Sequence, residues 1–193
     1  MKRIFSILVI ALMAISSVSA QAIKDEVAKS KERAARLQAL CKDYKACGNG
    51  NIDGYGNSIK EAAAFAIMNS EQLENFYKRE IGETKDGVQD VTITKPSLSD
   101  WATLATTVAG EGAKIKEAVD KAQNAGAEAK SIAEKASSEK NPMKVAKAAK
   151  TAKAAAAVME FGNMATPILM EESAAQVKAI DEIIKTLKSG QNL

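Results

Sequence analysis

Two thiols and three oxygen donors crowd one short stretch, CKDYKACGNGNIDGYGNS, residues 41–58. Cys41 and Cys47 form a C-x5-C pair, and Asn49, Asn51 and Asp53 follow at alternate positions. Such residues suggest three kinds of chemistry. Paired cysteines in an oxidising compartment can close a disulfide. An N-x-N-x-D-G run matches the first half of an EF-hand calcium loop. Glycines ahead of a helix can cradle phosphate.

The phosphate reading drops out, because the stretch has neither G-x-G-x-x-G nor G-x4-G-K-[ST] and a helix rather than a strand precedes it. A calcium site made of Asn49, Asn51 and Asp53 would bind weakly. It brings one carboxylate, and Lys60 stands where the bidentate glutamate belongs, with Glu61 one residue late. A Cys41–Cys47 disulfide meets a geometric condition. Six residues of regular helix separate two Cα atoms by ~9 Å, beyond the roughly 7 Å limit for a bridge. The pairing therefore predicts that helix 1 ends near Lys45 and Cys47 curls back, as the following glycines allow. The stretch reads as a turn clasped by this disulfide, with two separate thiols as the alternative.

Elsewhere, chemistry thins out. The chain has no histidine, which removes the commonest general base and transition-metal ligand. The remaining carboxylates, lysines and tyrosines form no spacing tied to a reaction. The sequence therefore predicts a non-enzymatic protein without a cofactor. One further stretch could bind. From Lys140 to Met159 there is no acidic residue, and Lys144, Lys147, Lys150 and Lys153 recur every third position. On a helix they drift ~60° per step and surround its solvent side. They could hold anionic lipid, polysaccharide or an acidic protein.

The first twenty residues, MKRIFSILVIALMAISSVSA, read as an export signal: two cations, an apolar run, and a small-residue cleavage site after Ala20 or Ala22. The apolar run is short for a membrane span, which takes about 20 residues. No transmembrane segment is expected once it is removed. The formal charge of +3 includes Lys2 and Arg3, so the exported form would carry about +1. With 4% aromatic residues as well, this disfavours nucleic acid as a partner.

Periodicity then supplies the frame. Helix 1, about 23–46, carries Ile23, Val27, Ser30, Ala34, Leu37, Cys41 and Tyr44 on one face. Helix 2, about 59–80, opens with Ser58 and Glu61 as a capping box. Residues 82–97 read as an extended connector, with Val91 and Ile93 packed on the bundle. Helix 3 begins near Ser97 or Ser99 and runs to Ser138 along Trp101, Ala105, Val108, Gly112, Ile115, Val119, Ala122, Gly126 and further alanines. Helix 4 starts at the cap Asn141-Pro142 and passes through Pro167 with a kink, its inward face running from Val145 and Ala149 through Met159, Asn163, Met170, Val177 and Ile180 to Leu187.

The predicted fold is all-α, an elongated bundle whose long, alanine-rich helix-3/helix-4 hairpin packs at its base against a shorter helix-1/helix-2 hairpin. Residues 21–193 form one helical domain, with 122–157 a projecting hairpin tip. The predicted role is that of an exported interaction or structural component of the envelope or extracellular space, partnered by protein or envelope material. A binder of anionic lipid or polysaccharide through the lysine-encircled tip is one alternative. A periplasmic holdase-type chaperone is another.

Overall fold

The computed structural model describes residues 20–82 and 94–193. The leader, except Ala20, and Val91 and Ile93 of the connector lie outside the described residues. Among the described residues the chain is all-α, with four helices: α1 (Ala20–Asp43), α2 (Gly50–Ile81), α3 (Leu98–Ser138) and α4 (Pro142–Lys188).

The helix ends follow from side chains able to satisfy orphan backbone groups. At α3, Ser97 Oγ accepts from the Asp100 amide at 3.1 Å while Asp100 Oδ2 accepts from the Ser97 amide at 2.7 Å, a reciprocal capping box. At α4, Asn141 Oδ1 accepts from the Met143 amide at 3.0 Å, with Pro142 in the first helical position as expected. The other end of α4 closes as a Schellman motif. The Gln191 amide donates to Thr186 O and the Gly190 amide to Leu187 O, with Gly190 at φ 75°.

Packing divides the chain into two compact units. Among the described residues the first takes those up to Ala35, those within Ala66–Gly110 and Glu171–Leu193, so all four helices contribute a segment. Its core joins Ile23 and Val27 of α1, Leu73 and Tyr77 of α2, Trp101, Leu104 and Val108 of α3, and Ile180 and Ile183 of α4. Phe76 meets the Trp101 ring edge-on, with centroids 5.3 Å apart. Arg79 also holds the end of the connector, donating through Nε and Nη2 to Thr94 O at 3.0 and 2.8 Å.

The second unit comprises Arg36–Phe65 and Glu111–Met170. Here Ile52, Tyr55, Ile59, Ala62 and Ala63 of α2 are buried, with Ile115, Ala118 and Ala125 of α3 and Ala155, Val158, Phe161 and Ala165 of α4. Two glycines admit tyrosines. A methyl at Gly56 would stand 2.6 Å from the Tyr44 ring, and one at Gly162 would overlap the Tyr55 ring and hydroxyl. Tyr44 in turn packs on Phe161, centroids 4.8 Å apart. Gly126 faces Met159 Cε, so α3 and α4 lie side by side here.

Three expectations are corrected. First, α2 begins at Gly50 rather than near residue 59. The cap is Asn49, whose Oδ1 accepts from the Asn51 and Ile52 amides at 3.1 and 3.2 Å. Ser58 is instead a buried acceptor, 2.7 Å from Lys121 Nζ. Second, alternate positions of the inward face of α3, and most of that of α4, are shifted by one residue. Leu104, Glu111, Ala118 and Ala125 are buried in place of Ala105, Gly112, Val119 and Gly126, and Val145, Ala149 and Asn163 are exposed. Third, α1 ends at Asp43, short of Tyr44 and Lys45.

Pro167 lies inside an unbroken α4, as expected. Asn163 and Pro167 are both exposed, so water can reach the carbonyl that the proline leaves without a donor. Thr166 Oγ1 bonds back to Gly162 O at 2.7 Å. Among the described residues no helix is long and apolar enough to cross a membrane.

Candidate functional site

Three clusters could do chemistry, and the glycine-rich turn comes first. Cys41 and Cys47 are free thiols, contrary to the expected disulfide. The reason lies in what holds each one. Cys41 sits on the rigid last turn of α1. The Asp53 carboxylate takes the Cys47 and Gly48 amides at 2.7 and 2.8 Å, drawing residue 47 toward the start of α2 instead of back onto α1. Burial pushes both thiols above their ordinary range, which favours the unreactive protonated form.

The calcium loop gives way too. Asn51 and Asp53 lie within helix α2, whereas an EF-hand ligand run needs loop backbone. Asn49 is occupied as the cap, and both Asp53 oxygens accept amide bonds. Among the described residues no group of three or more Cys, Asp or Glu is placed to hold a metal. Asn49→Ala is expected to cost about 1 kcal/mol in a denaturant melt through the lost cap. Calcium should restore none of it.

The second cluster, in the first unit, escaped the sequence reading. Glu172 of α4 is fully buried, and its carboxylate gathers donors from Ser30 and Arg33 of α1 and Gln176 of α4. Ser30 Oγ also lies 2.8 Å from Ser70 Oγ. One hydroxyl hydrogen cannot serve both acceptors, so Ser30 donates to the carboxylate and accepts from Ser70. Arg33 bridges further, to Glu26 and, at 3.4 Å, to Glu171. Gln176 Nε2 reaches Ala66 O at 3.3 Å, tying α4 to α2. With Ser30, Arg33, Ser70, Glu172 and Gln176 all buried, this cluster is closed to substrate and acts as polar cement.

Burial pushes the Glu172 carboxyl upward, and its three donors pull it only part of the way back. At Arg33 burial opposes the charge, but the hydrogen bonds to Glu26 and Glu172 outweigh it and hold the guanidinium protonated. A carboxyl that binds its proton more tightly when folded stabilises the fold fully below its unfolded value. It loses that contribution as pH rises through the folded value. Wild type should therefore gain stability relative to Glu172→Gln as pH falls from neutral toward 4.5, the ordinary glutamate value. Melting both proteins across that range tests the sign; a gap that narrows on acidification contradicts it.

The third cluster is the basic run, at the end of the α3–α4 hairpin in the second unit. Between Ala125 and Ala155 no residue is buried. Lys144, Lys147, Lys150 and Lys153 are all exposed, and none forms an ion pair with a described residue. The glutamates of α3 and the hairpin turn are engaged elsewhere. Glu128 accepts from Asn49 Nδ2, Glu134 lies 3.9 Å from Lys130, and Glu139 accepts from the Asn141 amide. Over residues 130–157 seven lysines face two glutamates, a net +5, although the whole chain carries +3. The remainder is thus slightly acidic, and the positive charge is concentrated here.

An all-α helical bundle with one concentrated basic surface is the class that fold and charge define. Compared with protein-family models, curated proteins and solved structures, the chain matches none.

Proposed function

We propose that this chain is an exported, non-enzymatic helical protein that binds an anionic component of the cell envelope through the basic end of its α3–α4 hairpin. One observation carries the reading: four exposed lysines, at 144, 147, 150 and 153, have no ion-pair partner among the described residues. Cations left free around a helix raise the local concentration of anions and speed their encounter. The export half of the reading is supported by the signal-like residues 1–20.

Retention on an immobilised envelope extract provides the test. It should fall as salt is raised and drop further when Lys144, Lys147, Lys150 and Lys153 are all changed to Gln. Retention that ignores both salt and these changes overturns the proposal.

A further inference from the structure

The basic run is not the only exposed feature at the hairpin end. Met143, in the first turn of α4, is 91% exposed, and Val145 beside it is 40% exposed. Lys140 and Lys144 flank the methionine, and all are exposed. A soluble polyanion offers charge to the lysines and nothing to an apolar side chain. A bilayer surface offers both, phosphate at the headgroups and hydrocarbon just below.

We infer that the hairpin end docks on an anionic lipid bilayer, with Met143 entering the boundary between headgroups and acyl chains. This rests on the reading of the basic run just given and names its partner. Lysine side chains suit the arrangement, since their alkyl stems lie along apolar surface while the ammonium groups reach outward to phosphate. Clusters of four to eight basic residues have the charge needed to hold a protein to an anionic leaflet, and residues 130–157 bring seven lysines. The alanines between them keep the helix thin and weakly apolar, so attachment is electrostatic first and reversible by salt. The threefold spacing turns successive lysines around the helix. The four therefore fan over about half of the helix circumference and can meet the bilayer together.

The test uses the chain as the cell leaves it after export, with vesicles of equal parts phosphatidylglycerol and phosphatidylcholine. Vesicles of phosphatidylcholine alone and soluble dextran sulfate are the controls. Binding should appear on the anionic vesicles, be absent from the neutral ones and weaken with salt. Changing Lys144, Lys147, Lys150 and Lys153 to Gln should reduce it by roughly 600-fold, at roughly fivefold per lysine. Met143→Ser should reduce vesicle binding about fivefold and leave dextran sulfate binding unchanged.

Met143→Trp adds a separate readout. Its emission should shift to the blue on anionic vesicles, against the constant signal of Trp101, which is fully buried. The substituted side chains are exposed, and unchanged helical circular dichroism confirms that each variant folds. Equal binding to vesicles and dextran sulfate, with no effect of Met143→Ser and no shift in M143W, overturns the bilayer assignment while leaving the electrostatic reading intact. Failure to bind anionic vesicles overturns it as well. If retention on envelope extract also ignores the four lysine changes, the underlying reading falls with it.

Discussion

Glu172→Ala is expected to lower the unfolding free energy by roughly 3–5 kcal/mol, the usual cost of breaking a buried ion pair from one side. For a chain of this size that is a fall in melting temperature of roughly 6–20 °C, at 2–4 °C per kcal/mol. The magnitude follows from what the deletion leaves behind. Arg33 is 6% exposed and keeps only Glu26 and, at 3.4 Å, the largely exposed Glu171. Ser30 and Gln176 also lose their shared acceptor. A guanidinium cannot escape by neutralising, because it stays protonated at any ordinary pH. Changing Arg33 to Met and Glu172 to Leu together should recover most of the loss, since apolar pairs of similar volume replace buried ion pairs at little cost. A melt of Glu172→Ala within about 2 °C of wild type would show that the cluster holds nothing together.

Gly162→Ala is expected to destabilise by about 2 kcal/mol, although alanine is the better helix former by about 1 kcal/mol. The added methyl would meet three atoms of the Tyr55 side chain, and that ring, 3% exposed, has no free space to swing into. The overlap therefore has to be relieved by shifting α2 or α4. Gly110→Ala makes the contrasting case. Nothing stands within 4 Å of a methyl there, so only the backbone term operates. A gain of roughly 0.5–1 kcal/mol is expected. The same substitution in two helices of one protein should thus change stability in opposite directions. Chemical denaturation of both variants reads the two signs. A stabilised G162A would mean that Tyr55 is not seated against that glycine.

Much of the fold was legible because strong residues marked it. Ile23, Val27, Ser30, Ala34 and Leu37 predict the buried face of α1 and occupy it. Asn141-Pro142 places the start of α4, and Trp101, Val108 and Ile115 are buried on α3 as expected. The failures have physical causes. Alanines lie on every side of α4 between residues 146 and 157, so periodicity cannot choose a face there. Lower in the same helix the true face carries Glu172 and Gln176, which a hydrophobic count rejects. Their need for partners, one from α1, is visible only in three dimensions.

The start of α2 was missed for a different reason. Gly50, Gly54 and Gly56 argue for a turn by propensity, yet Ile52, Tyr55 and Ile59 already show helical spacing. Tertiary packing overrides the propensity: Tyr44 lies where a side chain at Gly56 would go. Of the candidate sites, the basic run could be read from spacing alone, because exposure asks nothing of the rest of the chain. The thiol pair and the oxygen donors could not, since Asp53 decides both by taking the Cys47 and Gly48 amides.

The stretch between Ala125 and Ala155, where side chains are half-buried at most, ties the length of the α3–α4 hairpin only weakly to the core. Trimming or adding matched pairs of heptads there would subtract or insert solvated turns while every core layer stays in register. Hairpin length can thus be varied by paired insertion or deletion while the buried residues on either side keep their neighbours.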